Sequence, residues 1–166
     1  MAIILVVGIG IFSYPFVEDS LNDFLAQQMI IHYQKQASSK NSEEIKKQQE
    51  KMTKKNQQLA EQNVSPGIGS FNQAVDAKAL KDLPSNAFYM EHMLGVIEIP
   101  KINVSLPIFD QTTEIFLQKG MSLLEGSSYP TGGKSTHAVL SGHRGLPEAK
   151  LFTDLPKLKK GDQFFI

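Results

Sequence analysis

The chain opens on an unbroken apolar run, Ala2 to Phe12, and meets its first charges only at Glu18 and Asp19. A helix needs roughly 20 apolar residues to cross about 30 Å of hydrocarbon, so the run is short, but Tyr14, Pro15 and Phe16 suit an interfacial boundary. No basic residue follows before Lys35, which predicts that the downstream side faces away from the cytoplasm. A cleaved signal peptide is the competing reading. No small-x-small site follows Gly10, and this favours a retained anchor over residues 1–17. The basic residues usual ahead of an anchor are missing, since only Met1 precedes Ala2, and the N-terminus reads as clipped.

Beyond the anchor, Leu21, Phe24, Leu25, Ile30 and Ile31 recur at roughly helical spacing and predict an amphipathic helix over 21–33, capped by Asp19 or Ser20. A second helix is predicted from Asn41 or Ser42 to Asn63, with Glu43 and Glu44 in a first turn whose dipole favours negative charge. Ile45, Met52 and Leu59 give it one apolar position per heptad. That seam is too thin for a coiled coil, so residues 18–63 read as a solvated helical stalk. Ser65-Pro66-Gly67-Ile68-Gly69-Ser70 breaks the helix. Residues 64–93 read as a linker with a short helix before Pro84.

From Leu94 the pattern changes to short alternating runs bounded by proline and glycine, which predicts a mainly β domain over 94–166. Gly95 to Pro100 and Val104 to Phe109 read as strands joined by a tight Lys101-Ile102-Asn103 connection, with Pro107 at an edge or bulge. Thr112 or Thr113 is placed to cap a short helix through Gln118, ended by Gly120. Thr136 to Leu140 reads as a buried strand, Ala149 to Leu155 as helical, and Asp162 to Ile166 as the start of a strand left without a partner. The expected architecture is therefore an incomplete β-barrel behind an anchor and a helical stalk.

Composition narrows the chemistry. Basic and acidic residues balance at 17 each, so there is no basic excess to neutralise a nucleic-acid backbone. The absence of cysteine excludes disulfides, zinc-thiolate sites and any cysteine nucleophile within these residues. Thr131-Gly132-Gly133-Lys134-Ser135 lacks the glycine at position 128 that a phosphate-binding loop requires, and reads as a hairpin loop. Of the four histidines, His137 reads as a packed or hydrogen-bonded structural residue, and His32 and His92 have no neighbours in sequence that suggest a metal site. His143 differs, because Gly142 and Gly145 around it leave room for a substrate backbone. Alone, such a residue is more often an ordinary turn histidine than a catalyst. Arg144 beside it disfavours a protonated imidazole unless Glu148 or Asp154 compensates.

Longer runs of residues carry a resemblance. Gly95-Val96-Ile97-Glu98-Ile99-Pro100-Lys101-Ile102, Leu117-Gln118-Lys119-Gly120, Glu125-Gly126, and the stretch from Thr131-Gly132-Gly133 through Thr136-His137-Ala138-Val139-Leu140-Ser141-Gly142-His143-Arg144-Gly145-Leu146-Pro147 are similar to the sortase family. Ala149-Lys150-Leu151-Phe152-Thr153-Asp154-Leu155, with Gly161-Asp162, resembles its class C, pilus-assembling members. The resemblance implies a cysteine transpeptidase, held by a single membrane pass on the outer face of a Gram-positive cell membrane. Such an enzyme cuts LPXTG-type sorting signals of pilin precursors and joins the acyl group to a pilin lysine. It implies His143 as the catalytic histidine, with no metal and no cofactor, and it leaves the substrate-binding residues unassigned. The family's Thr-Leu-x-Thr-Cys strand and later arginine have no counterpart up to Ile166, so this chain alone is expected to be an inactive fragment. Nor is the Asp-Pro-aromatic lid of class C matched, since Ala77 follows Asp76, and Leu83-Pro84 follows Asp82. The alternative is a non-catalytic, membrane-tethered binding or scaffold protein, which the missing cysteine favours.

Overall fold

The computed structural model of the chain describes residues 2–62, 85–147 and 149–166. The proline- and glycine-rich break, the short helix expected before Pro84 and the lid positions Asp76 and Asp82 lie outside those residues. Two long helices come first, α1 over Ala2–Ser39 and α2 over Ser42–Gln62, and a short α3 spans Asn86–Glu91. Strand β1 (Met93–Ile99), β2 (Val104–Phe109), the four-residue helix α4 (Glu114–Leu117), β3 (Met121–Leu123) and β4 (Leu140–Gly142) follow. Helix outweighs strand along the described chain, so the mainly β expectation holds only from Met93 onward.

α1 runs unbroken past the expected interfacial boundary, so anchor and stalk are parts of one helix. Among the described residues no helix is long and apolar enough to cross a membrane, and the expectation of a span over residues 1–17 finds no support there. The reverse holds for the stalk, which is not free. Ala26 and Ile30 of α1 are 4% and 2% exposed, and Met29 and Tyr33 pack beside them on a cluster of Tyr89, Met93, Phe109 and Phe116. The buried stripe therefore runs through 26, 29, 30 and 33, at the i, i+3, i+4, i+7 spacing of one helical face. Of the apolar residues expected to form that stripe, only Ile30 does so. Leu21, Phe24, Leu25 and Ile31 are exposed. Polar contacts fix the docking: the Gln27 amide donates to the Ser105 carbonyl at 3.2 Å, the Tyr33 hydroxyl donates to the Leu94 carbonyl at 2.8 Å, and Lys119 Nζ donates to Asn22 Oδ1 at 2.9 Å. Burial pushes the Tyr33 phenol upward from its ordinary value, which keeps it a donor.

α2 starts at a reciprocal cap, in which Glu44 N–H donates to Asn41 Oδ1 at 2.8 Å and Asn41 N–H donates to Glu44 Oε2 at 3.2 Å. Its surface is otherwise solvated as expected, with one exception. Asn56 is 3% exposed. Its amide nitrogen donates to the Tyr129 carbonyl at 3.1 Å and to Thr131 Oγ1 at 3.0 Å, while its carbonyl accepts the Tyr129 N–H at 2.7 Å. Next to it, Lys55 Nζ lies 3.1 Å from the Tyr129 hydroxyl and 5.2 Å from the centre of its ring. One amide thus satisfies both backbone groups of Tyr129, as a neighbouring strand would.

The four strands form one sheet in the order β1-β2-β3-β4. β1 and β2 pair antiparallel from Met93 opposite Phe109 to Ile99 opposite Val104, across a 3-10 turn at Pro100–Ile102 closed by Asn103 in the left-handed conformation (φ 52°), which Asn tolerates better than most residues. β2 runs parallel to β3 through Ile108 and Phe109, and β3 runs antiparallel to β4. Pro107 lies just ahead of the β3 pairing, where its missing N–H is harmless. Gly120 is required there, because a side chain at this position would collide with the Pro107 carbonyl. Among the described residues the sheet does not close. The last segment does find a partner, contrary to expectation: Phe165 and Glu98 exchange two backbone hydrogen bonds of 2.9 Å on the outer edge of β1.

Three local expectations change. The strand expected over 136–140 starts only at Leu140, because Val139 O and His137 O accept from Leu124 and Ser128 of the preceding loop. The segment 149–155 forms turns and a 3-10 turn at Leu155–Lys157 instead of an α-helix. His137 is exposed and not packed, and its hydrogen bonds are those of its backbone with Ser128.

The docking of α1 is checked by substitution. Ile30→Ala removes a fully buried side chain and is expected to cost about 2–4 kcal/mol, whereas Leu25→Ala, on the same helix but exposed, should cost under about 0.5 kcal/mol. Denaturant midpoints of the two variants measure the difference. Equal, small shifts would mean that α1 does not pack on the sheet.

Candidate active site

His143 follows the last residue of β4, so the sheet delivers it. Two contacts hold the turn from behind. A side chain at Gly142 would lie 3.0 Å from Phe152 Cε2, and one at Gly145 would overlap the Thr153 hydroxyl. The glycines flanking His143 thus serve the close approach of the 149–153 segment, which is a different reason from the substrate access expected of them. That segment is itself tightly formed. Leu146 and Ala149 bond each other across a turn at 2.8 and 3.2 Å, Phe152 is 5% exposed, and Leu151 holds φ at 39°. A branched side chain rarely adopts that conformation, and burial of Leu151 offsets the strain.

The ring of His143 is 35% exposed, yet its Nε2 is shielded from solvent and makes no hydrogen bond to a described residue. Glu114 Oε1 lies 3.4 Å from it, an ion-pair distance without hydrogen-bond geometry. A buried nitrogen left unpaired costs about 1–3 kcal/mol, and Glu114, 46% exposed, has freedom to close the gap. Glu114 is held near by its own element. Thr113 caps α4 by accepting the Phe116 N–H at 3.3 Å, Phe116 and Leu117 are buried, and Gln118 Nε2 donates to Glu114 Oε1 at 3.4 Å.

Of the two acids expected to compensate Arg144, the described one is engaged elsewhere. Glu148 lies outside the described residues. Asp154 accepts from Lys157 Nζ at 2.8 Å and Lys150 Nζ at 2.9 Å, and these hydrogen bonds, Lys157 first, hold its carboxyl below the usual carboxylate range. Arg144 is exposed. Glu114 was missed because nothing local in the sequence links it to His143; its neighbour Thr113, a predicted cap, was the available signal. His92, read as having no metal partners, does have a structural one: its Nδ1 lies 2.8 Å from Asp110 Oδ1 and 3.2 Å from Gln111 Nε2, under Phe88 at 4.7 Å. Among the described residues no group of three His, Cys, Asp or Glu is placed to hold a metal.

The larger cavities lie elsewhere. One of 900 Å³ separates α1 from α3, one of 620 Å³ lies under α2, and one of 270 Å³ lies between α1 and residues 149–151. His143 lines none of the three. What the site offers is a histidine on a rigid strand end, one nitrogen turned to a carboxylate, and the rest of the ring accessible.

Known proteins resemble this chain in sequence and in fold. The sortase domain family profile matches residues 97–166, which include β1 to β4 and His143. Sortase D of Bacillus subtilis is 42% identical over 69 residues, a match spanning 42% of this chain and 32% of that protein. The structure of Streptococcus pneumoniae sortase C-1 is similar with a TM-score of 0.63 and 36% identity, over 82% of this chain and 68% of the other. Clostridium perfringens sortase C, solved in complex with a C-terminal cell wall sorting signal motif, is similar with a TM-score of 0.62 and 37% identity, over 85% of this chain and 64% of the other.

The Asp154 cluster predicts a pH effect on the segment behind His143. A carboxyl with a lowered folded pKa contributes stability that is complete above its unfolded value of 3.8 and is lost as pH falls through the lower folded value. Melting temperature should therefore drop on acidification through that range, and Asp154→Asn should be less stable than the parent at neutral pH and show a smaller drop. An Asp154→Asn curve that parallels the parent's would exclude the cluster as a stabilising element.

Proposed function

The chain belongs to the sortase family and is built like its class C members, and from that premise we propose that it forms the histidine-bearing part of a transpeptidase acting on LPXTG-type sorting signals of pilin precursors. The observation that carries the reading is His143, at the end of β4 within the matched domain, with Nε2 directed at a carboxylate. The sorting signal bound by the Clostridium perfringens relative supports the substrate class.

In this reading a cysteine thiolate attacks the threonine carbonyl of the sorting signal. The carbon–sulfur bond forms and the threonine–glycine amide breaks, its amine leaving with a proton from His143. A pilin lysine amine then attacks the thioester and gives its proton back to the imidazole as the thiolate departs. These 166 residues contain no cysteine, so the thiol belongs to other sequence. The same absence is what favours the second reading, a tethered scaffold without catalysis.

Membrane attachment through residues 2–17 belongs to the proposal as well. Among the described residues no helix is long and apolar enough to span; what favours attachment is the exposed apolar surface at Ile3 (79%) and Ile4 (73%).

Reading the coding sequence past the Ile166 codon is the first test. A continuation encoding Thr-Leu-x-Thr-Cys and a later arginine is expected, and its absence would favour the scaffold. The product of that complete frame should cleave an LPXTG peptide and pass the acyl group to a lysine amine, with His143→Ala lowering kcat by about 100-fold or more. The 166-residue chain alone should leave the peptide intact, and thiol-dependent cleavage by it would sink the account. Membrane fractionation, with and without residues 2–17, tests the attachment: release on deletion is expected.

A further inference from the structure

We propose that Glu114 is the positioning residue of His143: its carboxylate accepts the Nε2 proton, which fixes the tautomer and assigns proton transfer to Nδ1. Three observations converge on this. First, Nε2 is the shielded nitrogen and, among the described residues, has no hydrogen-bonding partner and one carboxylate within ion-pair distance, Glu114 at 3.4 Å. A buried N–H needs an acceptor, and hydrogen bonds to catalytic groups are often long before substrate arrives and tighten afterwards. Second, the imidazole is still 35% exposed. That exposure belongs to its other atoms, so Nδ1 is the nitrogen left to meet a reacting group. Third, Glu114 is placed by structure and not by chance. It is the first residue of α4, behind the Thr113 cap, with Gln118 donating to the same Oε1 at 3.4 Å. Phe116, two residues on, is 1% exposed and stacks on Phe109 at 4.5 Å.

The chemistry follows from the donor inventory of imidazole. In the neutral ring one nitrogen carries the proton and the other a lone pair, and the partner of the first decides which is which. With Nε2–H donated to Glu114, Nδ1 holds the lone pair that takes a proton from the incoming amine. After protonation, Nδ1–H is the acid for the leaving amine, and the Glu114 carboxylate stabilises the cation meanwhile. Glu114 touches neither substrate nor thiol, and acts through the ring alone.

The kinetic half of this inference rests on the transpeptidase reading; the orientation half does not, and the experiment separates them. Histidine is labelled with 15N in the full chain, and the ring N–H protons are recorded at neutral pH. A ring proton held by a carboxylate exchanges slowly enough to be seen, so the parent is expected to show a proton coupled to His143 Nε2. Glu114→Gln, whose amide oxygen still accepts, should keep it, and Glu114→Ala should lose it while its far-ultraviolet circular dichroism shows the fold retained. In the product of the complete frame, Glu114→Ala should lower kcat about tenfold or more with KM unchanged, and Glu114→Gln should recover most of the loss. A proton on Nδ1 in the parent, or an Nε2 proton that persists in Glu114→Ala, overturns the proposal. The expected spectra without cleavage by any variant would uphold the positioning role and overturn the transpeptidase reading.

Discussion

The stack of Phe116 on Phe109, ring planes 19° apart and centroids 4.5 Å apart, is the contact on which the remaining arrangement depends. Phe109 ends β2, where that strand meets both Met93 of β1 and Ser122 of β3. Phe116 comes from a helix of four residues, far too short to persist unaided. It exists because its cap is satisfied and its aromatic side chain is buried. Ile30 of α1 and Tyr89 of α3 close on the same cluster, so two helices that precede the sheet in sequence are tied to the element that carries Glu114. The histidine's electrostatic environment is thus set by an apolar contact some distance from it.

Much of this was legible along the chain, and for identifiable reasons. β1 and β2 announce themselves by alternation between proline and asparagine punctuation, and Thr113 announces α4, because caps and turns are local chemistry. The resemblance to sortases rests on such local runs, which is why it survives comparison with solved structures. What could not be read is non-local. The buried face of α1 includes Ala26 and Tyr33, residues that hydropathy ranks below the exposed Leu21 and Phe24; the partner surface decides, not the helix. Val139 has strand-like neighbours, yet its backbone is claimed by Leu124 and by the Ser127 hydroxyl at 3.2 Å. The meeting of Glu114 with His143 needs β2, α4 and β3 to form a parallel crossover and β4 to return beside it, a sequence of pairings that no spacing rule encodes.

The histidine turn shows two demands met by the same residues. Gly142 and Gly145 admit Phe152 and Thr153 at close range, and Leu151 accepts a strained backbone to bring them there. Rigidity behind the ring is therefore obtained from packing, and the solvent side is left open. Such an arrangement suits a group that must keep its direction while partners come and go.

α2 relates to the body of the molecule quite differently. Nearly all of its surface faces water, and its described attachment to the sheet domain is concentrated at Lys55 and Asn56, the latter standing in for a strand along the backbone of Tyr129. An element held at one point detaches as a unit, without disturbing the core, in the low-energy range of local unfolding. The side chains that seat that helix are accordingly two adjacent ones. Its exposed positions accept other polar helix formers at little cost, so the arm can change its composition, and even its outward charge, while the grip that seats it persists.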